Sequence, residues 1–231
     1  MNNEIKVPKC VGIIMDGNRR WARNRDLPLF EGHRQGGEIL KNTIGWARDL
    51  GVEHIIFYTF STENWKRAEE EVSYLIDLIG TFITKHLDYF HSEGGVIHYV
   101  GDITKFSADL QDSLKNSEEK TKNNKGPHVY FALNYGGRAE ILSAVKRIVS
   151  ENPKEEEITE EYFGKFLQTG EMPDPDVIIR TSGEIRLSGF LPWQSVYSEL
   201  FFTKTLWPDF SKQEFESILE EFSNRDRRRG K

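Results

Sequence analysis

The sequence contains a single cysteine, Cys10, and has no long hydrophobic run. One cysteine excludes an internal disulfide framework and a cysteine-rich zinc site, and it fits a reducing compartment. No apolar stretch approaches the roughly 20 residues that a membrane-spanning helix requires. Residues 1–9 are polar and do not resemble a signal peptide. We therefore expect a cytoplasmic protein.

The sequence also lacks an excess of basic residues. It contains 31 Lys and Arg and 37 Asp and Glu, which gives a net charge of −6. This balance argues against a nucleic-acid partner. It leaves room for a local anion site, because net charge averages over the whole surface. The motifs G-x-x-x-x-G-K-[ST] and, after the first predicted strand, G-x-G-x-x-G are absent, which disfavours ATP hydrolysis and dinucleotide binding.

What the sequence does contain is an alternation of short apolar runs with amphipathic helical stretches, in 231 residues of which 37% are hydrophobic. We predict one domain over residues 1–231. Strands are predicted at 10–15, 52–60, 96–100, 128–133 and 176–180. Helices are predicted at 38–50, 69–91, 110–120 and 139–149, and a last one after a capping box at Ser211 and Glu214. This order indicates an α/β fold with a parallel sheet flanked by helices.

Polar segments, three of which contain glycine, follow four of the predicted strands, at the sheet edge where ligands of such folds bind. They are DGNRRW from Asp16, STENWKR from Ser61, NYGGR from Asn134 and RTSGEIRLS from Arg180. A carboxylate beside arginines and glycines suggests a magnesium-bridged phosphate. The alternative is a helix-capping Asp16 with surface arginines. His33 has the further alternative of a structural, hydrogen-bonding histidine.

These segments together resemble the cis-prenyltransferase family, typified by undecaprenyl diphosphate synthase. The matching stretches span nearly the whole chain in the family's order: IIMDGNRRWA, GH at Gly32, FSTENW, NYGGR, RTSGEIRLSGFLPWQ, YSELFF and LWPDF. The resemblance implies a homodimer whose subunits each have a mostly parallel six-stranded sheet, flanking helices and a hydrophobic tunnel. It also implies the Mg²⁺-dependent condensation of isopentenyl diphosphate with an allylic prenyl diphosphate to form cis double bonds.

Position by position, the resemblance implies roles for individual residues. Asp16 and Asn64 are the expected catalytic residues, and Asp16 and Glu199 the expected magnesium-associated acids. The expected substrate-binding residues are Gly17, Asn18, Arg19, Arg20, Trp21, His33, Trp65, Arg67, Arg180, Arg186, Ser188, Arg228 and Gly230. The hydrocarbon tail of the product needs an apolar channel. Seven residues could line it, or could instead belong to the hydrophobic core: Ile55, Phe57, Thr59, Phe82, Ile83, Phe131 and Leu133.

Three departures, at four positions, separate this sequence from the pattern of many family members. Arg19 replaces a glycine, Leu29 replaces an arginine that binds diphosphate, and Gly189 and Pro192 replace Asn and Leu in the loop of the second diphosphate. Leu29 motivates an alternative function, transfer of the prenyl group to a different acceptor such as an alcohol or another isoprenoid carbon. A non-catalytic partner subunit is the third hypothesis. Because the product is hydrophobic, we expect the protein to make transient contact with the inner face of the membrane.

Overall fold

The computed structural model describes residues 6–226, in which six β-strands alternate with seven α-helices. The strands are β1 (Cys10–Ile14), β2 (His54–Ser61), β3 (Val96–Val100), β4 (His128–Tyr135), β5 (Val177–Arg180) and β6 (Glu199–Phe202). The helices are α1 (Asn18–Arg23), α2 (Leu29–Asp49), α3 (Glu69–Ser92), α4 (Ala108–Thr121), α5 (Gly137–Glu151), α6 (Glu160–Gly164) and α7 (Lys212–Asn224).

All six strands form one sheet in the order β3-β4-β2-β1-β5-β6. Every neighbouring pair is parallel, so the predicted six-stranded sheet is confirmed and is parallel throughout. The carboxyl ends of all strands therefore meet at one edge. This topology brings together the segments that follow β1, β2, β4 and β5.

The two faces of the sheet bury alternate residues of each strand, as strand geometry requires. Val11 and Ile13 of β1 belong to the larger hydrophobic cluster, whose helical side is supplied by α2, α3, α4 and α7. Cys10 and Ile14 belong to a smaller cluster on the opposite face, together with Phe190 and Leu191 from the segment after β5. Within residues 6–226, no helix combines the length and apolar character needed to cross a bilayer.

Most predicted elements are confirmed with boundaries shifted by a few residues; α2 differs more, and α6 and β6 were not predicted. Helix α2 begins at Leu29, whereas the prediction begins it at residue 38, because the three glycines of its first turns weaken the helical pattern. A Cβ atom at Gly32 would overlap the backbone oxygen of Asn18, so this glycine allows α1 and α2 to approach closely. Strand β6 at the sheet edge was not assigned from the sequence.

The last helix begins where its N-cap was predicted, with one difference. The Ser211 hydroxyl accepts a hydrogen bond from the backbone N–H of Glu214, at 3.2 Å. The Glu214 carboxylate does not complete a capping box, because it accepts hydrogen bonds from the hydroxyls of Thr203 and Thr205. Glu214 thus joins α7 to the segment that follows β6.

Candidate active site

An ion pair between Asp16 and Arg180 joins the carboxyl ends of two neighbouring strands. Asp16 follows β1, Arg180 is the last residue of β5, and the Arg180 Nη2 donates to Asp16 Oδ2 at 2.8 Å. The Arg180 residue is only 4% exposed. Its Nη1 donates to Ser188 Oγ at 2.8 Å and to the backbone oxygen of Arg186 at 2.5 Å. These contacts hold the guanidinium in one orientation.

The Asp16 carboxylate is held in its charged form. Burial alone would raise its pKa, but the hydrogen bond and the positive charge of Arg180, helped by Ser182, hold the pKa of Asp16 below its usual value. The second carboxylate oxygen, Oδ1, lies 3.9 Å from Nη2 of Arg20. Asp16 is therefore an ionised carboxylate that stands between Arg180 and Arg20.

Ser182 and Glu184 link Arg20 to the segment after β5. Ser182 adopts the left-handed conformation, with φ of 80°, and its hydroxyl accepts a 2.5 Å hydrogen bond from Arg20. Glu184 lies 3.5 Å from Arg20 and 2.5 Å from Arg186. Glu184, two residues after a serine in a backbone conformation that serine rarely adopts, thus pairs with two arginines.

Four arginines line an open cavity of about 350 Å³ at the start of α1, which we call the arginine pocket. It is lined by Met15, Asp16, Gly17, Asn18, Arg19, Arg20, Arg23, His33 and Arg67. Glu71 partly neutralises it, since its Oε1 lies 2.7 Å from Arg67 and 3.7 Å from Arg19. The excess of fixed positive charge suits a polyanionic ligand such as a diphosphate.

A second cavity, of about 230 Å³, lies at the ends of β1, β2 and β5, and we call it the strand-end pocket. Its charged and amide lining comes from Asp16, Asn18, Asn64, Arg67 and Arg180. The Asn64 side-chain oxygen accepts from the backbone N–H of Ser61 at 2.9 Å, which fixes the orientation of its amide. The strand-end pocket also includes the hydroxyls of Tyr58, Thr59 and Ser61.

A third cavity, of about 90 Å³, is mostly apolar and lies between α2, α3 and the sheet. We call it the apolar cavity. Five of the seven predicted channel residues line it: Thr59, Phe82, Ile83, Phe131 and Leu133. Ile55 and Phe57 do not; both are fully buried in the core cluster. Met15, Asn18 and His33 line all three cavities, which are therefore contiguous.

His33 stands at this junction as a neutral imidazole. Burial first, and then the positive charge of Arg67, lowers the pKa of His33 to about 4. Its Nε2 is buried and has no hydrogen-bond partner. The other buried polar side-chain atoms without a partner in the described chain are Asn18 Oδ1, Arg19 Nε, Arg180 Nε and Gln194 Oε1. All but the last belong to residues of these pockets, as expected where a polar ligand binds.

Several predicted site residues lie apart from the three cavities. The Trp21 indole donates to Asp209 at 2.6 Å, and the Trp65 indole donates to Asn134 at 2.8 Å. Neither indole lines the cavities. Arg186 contributes its backbone oxygen to Arg180, while its exposed side chain pairs with Glu184. Arg228 and Gly230 lie outside the described residues.

Glu199, predicted with Asp16 as a magnesium-associated acid, lies at the other end of the sheet. It is the first residue of β6, in register with Val177 at the start of β5. Three residue steps, roughly 10 Å, separate this level from Arg180. Glu199 instead pairs with Arg225 at 2.8 Å. One ion cannot be held by both predicted acids of a single chain, because the sheet separates them.

The protein side chains fit a magnesium ion only if a bound substrate supplies further oxygen atoms. In residues 6–226 no cluster of three or more His, Cys, Asp or Glu side chains could hold a metal ion. Mg²⁺ accepts one or two carboxylates when substrate phosphates and water supply its remaining oxygens. Asp16, ionised and next to two basic pockets, matches that requirement.

Reasoning from the sequence missed four residues that shape the site. Arg23 lines the arginine pocket, and Glu71 is the counter-ion of Arg67 one helical turn away. Ser182 binds Arg20, and Thr181 donates its hydroxyl to the backbone oxygen of Asp16 at 2.6 Å. The spacing of Arg67 and Glu71 at i and i+4 is the one signal in the sequence that indicates such a pair.

Comparison with known families gives one match that covers nearly the whole chain. Residues 14–230 match the family model of prenyltransferases described as undecaprenyl diphosphate synthase. An isoprenyl transferase from Thermotoga maritima is 45% identical over 228 residues, which are 98% of each chain. An isoprenyl transferase from Streptococcus mutans is 46% identical over 235 residues, covering 97% of this chain and 94% of that protein.

Solved structures show the same likeness in three dimensions. Lavandulyl diphosphate synthase from Lavandula x intermedia, in complex with dimethylallyl diphosphate, matches with a TM-score of 0.94 and 32% identity over 97% of this chain and 99% of that one. A probable undecaprenyl diphosphate synthase from Campylobacter jejuni matches with a TM-score of 0.82 and 30% identity at the same coverage.

Proposed function

The chain belongs to the undecaprenyl diphosphate synthase family of prenyltransferases, and from this membership we propose that its adjoining pockets bind two prenyl diphosphates side by side. The reaction is the condensation of isopentenyl diphosphate with an allylic prenyl diphosphate, which forms a cis-polyprenyl diphosphate. The observation that carries the proposal is the junction at Met15, Asn18 and His33, where two basic pockets meet one apolar cavity. We treat residues 1–231 as one catalytic domain.

The allylic diphosphate occupies the arginine pocket in this proposal. The C–O bond of the allylic substrate breaks with its electron pair on the diphosphate, so negative charge grows there in the transition state. Arg19, Arg20 and Arg67 are already oriented toward that space by Glu71 and Ser182. Preorganised cations stabilise a leaving group without reorganising during the reaction. Gly17, with φ of 112°, supports the turn that presents this loop.

The diphosphate of isopentenyl diphosphate binds next to Arg180. Its clamp is formed by Arg180, Arg186 and Ser188, with the Arg180 fork already hydrogen-bonded to Ser188. A bidentate guanidinium suits a diphosphate that must stay intact while the other one departs. Arg228 and Gly230 remain proposed contributors to this clamp, on the family resemblance alone.

The hydrocarbon tail of the allylic substrate extends into the apolar cavity. The alkene of isopentenyl diphosphate then attacks the allylic carbon, a C–C bond forms and one proton leaves. The sequence left three proton acceptors open: a diphosphate oxygen, Asn64 and His33. The Asn64 oxygen already accepts from Ser61, and an amide is a poor base. His33, neutral and with Nε2 unpartnered, and the diphosphate oxygen therefore remain the stronger candidates.

Mg²⁺ is the proposed cofactor, held by Asp16 and phosphate oxygens. When bound, the ion neutralises charge on the diphosphates. Asp16 is the acidic residue that lines both basic pockets. The proposed metal role of Glu199 rests on the family resemblance, and it would have to act at a separate place.

The test is an assay of purified protein with labelled isopentenyl diphosphate, several allylic primers and Mg²⁺. We expect diphosphates longer than the primer by multiples of five carbons, identified by mass spectrometry after dephosphorylation. Absence of any longer diphosphate with every primer would refute chain elongation. A metal-free reaction of equal rate would refute the proposed cofactor.

A second candidate function is favoured by the likeness to lavandulyl diphosphate synthase, at a TM-score of 0.94. In that case the chain transfers its prenyl group to a different acceptor, and Leu29 in place of the usual arginine agrees with an altered diphosphate site. The same assay separates the two. A product whose carbon skeleton is branched, or one formed from the allylic substrate alone, would support the second candidate.

The proposed assembly is a homodimer. Helix α5 exposes Leu142, Val145 and Val149, which share one face at helical spacing. Its first residue, Gly137, donates its backbone N–H to Gly189, so α5 adjoins a segment that also exposes Val196 and Tyr197. Light scattering should give twice the chain mass, and Leu142→Lys with Val149→Lys should reduce it to the monomer.

A further inference from the structure

Four consecutive apolar residues, Leu27, Pro28, Leu29 and Phe30, connect α1 to the first turn of α2, and we call them the LPLF patch. Leu27 is 40% exposed and Phe30 is 45% exposed. Pro28 is also exposed, and only Leu29 is half-buried. Single exposed apolar side chains are ordinary, but a run of this kind on the surface points to a binding function.

The LPLF patch is held in a defined conformation. Asp26, just before it, adopts the left-handed conformation with φ of 53°. The backbone N–H of Leu27 donates to the carbonyl of Ala22 at 3.0 Å, which closes the end of α1. Pro28 then serves as the N-cap residue of α2. Because both flanking helices are closed at this point, the apolar side chains project from a preformed turn.

The segment that contains the LPLF patch is basic, in a protein whose net charge is −6. Residues 19–34 contain five arginines and two acids. Arg23 is exposed and has no ion-pair partner in the part of the chain that the structure describes. Arg25 lies over the Trp21 ring, 4.4 Å from its centre, and pairs with Asp209 at 3.1 Å. An apolar tip with a basic rim has the chemistry of a surface that binds anionic lipid.

The LPLF patch contacts α3 one residue away from the lining of the apolar cavity. The rings of Phe30 and Tyr74 are 5.7 Å apart, and the Tyr74 hydroxyl donates to the Phe30 carbonyl at 3.3 Å. Tyr74 immediately precedes Leu75, which lines both the apolar cavity and the strand-end pocket. His33 follows Phe30 by one helical turn. A lipid product leaving between α2 and α3 would emerge beside the LPLF patch.

We propose that the LPLF patch docks the protein on an anionic lipid bilayer. Leu27 and Phe30 enter the boundary between headgroups and acyl chains, and Arg23 with its neighbours lies at the lipid phosphates. A second copy of this chain is a poorer occupant, because its identical basic rim would repel the first. The link to product release rests on the proposed function, whereas the docking itself does not.

The test is co-sedimentation with phosphatidylcholine vesicles, with and without phosphatidylglycerol, in the absence of substrates. The unchanged protein should bind the anionic vesicles, bind neutral ones more weakly, and lose affinity as salt is added. Leu27→Ser combined with Phe30→Ser should reduce binding at least about tenfold, since two partly exposed apolar side chains no longer insert. The matched control is Ile158→Ser, which alters a 49% exposed apolar residue next to three glutamates and should bind as the unchanged protein does.

Two results would overturn the docking surface. One is equal binding by the unchanged protein and the double variant. The other is a change in mass by light scattering for the double variant without a change in vesicle binding, which would make the patch a contact between copies. Turnover of a short, water-soluble primer, measured without vesicles, tests the proposed function separately.

Discussion

Asp16 and Arg180, 164 positions apart in the chain, meet in a 2.8 Å hydrogen-bonded ion pair. The pair depends on the parallel pairing of β1 with β5, in which Ile14 is in register with Arg180. The two residues depend on each other, because Arg180 keeps the Asp16 carboxylate ionised and Asp16 helps to orient the Arg180 guanidinium. A diphosphate that reaches Arg180 is therefore brought within range of the acid that we assign to the metal.

Replacing Asp16 by Asn should leave the fold intact and reduce kcat/KM by at least about 10²-fold, since loss of a comparable electrostatic group has that effect. Circular dichroism and steady-state kinetics measure the two quantities. Asp209→Asn is the matched control, because Asp209 also pairs with an arginine but lies outside the three cavities. Equal turnover in the Asp16 and Asp209 variants would contradict the assignment.

Replacing Arg180 by Lys should raise the KM for isopentenyl diphosphate at least about tenfold and change the KM for the allylic substrate less. Lysine keeps the charge but cannot donate to Asp16, Ser188 and the Arg186 carbonyl at the same time. Initial rates with each substrate varied separately measure the effect. A larger effect on the KM for the allylic substrate would indicate that the allylic diphosphate binds next to Arg180 and that isopentenyl diphosphate binds in the arginine pocket.

Replacing Gly32 by Ala should lower both stability and activity, although Gly32 lines none of the cavities. The new Cβ would overlap the Asn18 backbone oxygen and push α1 away from α2. Overpacking of this kind destabilises by about 1–3 kcal/mol. Denaturant unfolding and kinetics check both effects. Gly164→Ala, where the added Cβ meets nothing within 4 Å, is the control and should change neither.

Acid should destabilise the fold between about pH 6.5 and pH 4, partly through His98. Burial first, and then the nearby His128 and His54, lowers the pKa of His98 from 6.5 to about 4. In this window the unfolded chain binds a proton that the folded chain does not, so stability falls as the pH falls. His98 is partly exposed, and after a discount for solvent screening it lowers the free energy of unfolding at acid pH by about 1 kcal/mol, or the Tm by roughly 2–4 °C.

The His98→Gln variant tests this contribution, because glutamine removes the titrating group. Thermal unfolding of both proteins at pH 7 and pH 4.5 should show that the variant loses fewer degrees than the unchanged protein, whatever its Tm at pH 7. Equal losses would show that His98 does not take part in the acid response.

Replacing Glu199 by Gln separates the two predicted magnesium-associated acids. Because Glu199 pairs with Arg225 at the far end of β6, the variant should keep the Mg²⁺ concentration for half-maximal rate within about twofold. Asp16→Glu, which keeps the charge but moves it, should raise that concentration. A large shift for Glu199→Gln would place a second functional ion near β6.

The site was predictable where strand order alone determines it. Asp16 and Arg180 each follow or end a buried apolar run, and a parallel sheet places both at one edge. Strand order did not place Glu199, whose metal role was expected from the family resemblance alone, because a motif in the sequence does not reveal which end of a strand it occupies. Strand β6 has only four residues at the sheet edge, too few for a clear alternating pattern.

Contacts that depend on tertiary packing could not be predicted from the sequence either. Trp21 and Trp65 lie next to predicted site residues in the chain, yet their indoles turn to Asp209 and Asn134. The φ of 80° at Ser182, which brings its hydroxyl to Arg20, depends on the path between β5 and β6. Local sequence carries no signal for either, since both depend on groups far away along the chain.

In the proposed reaction, two diphosphates bind on either side of Asp16. A crystal structure with Mg²⁺, isopentenyl diphosphate and a non-ionising thiolo analogue of the allylic substrate tests it most directly. We predict one diphosphate on Arg19, Arg20 and Arg67 and the other on Arg180, with the analogue's tail in the apolar cavity. Diphosphates bound elsewhere, while the Asp16 and Arg180 pair contacts no phosphate or metal, would contradict the account.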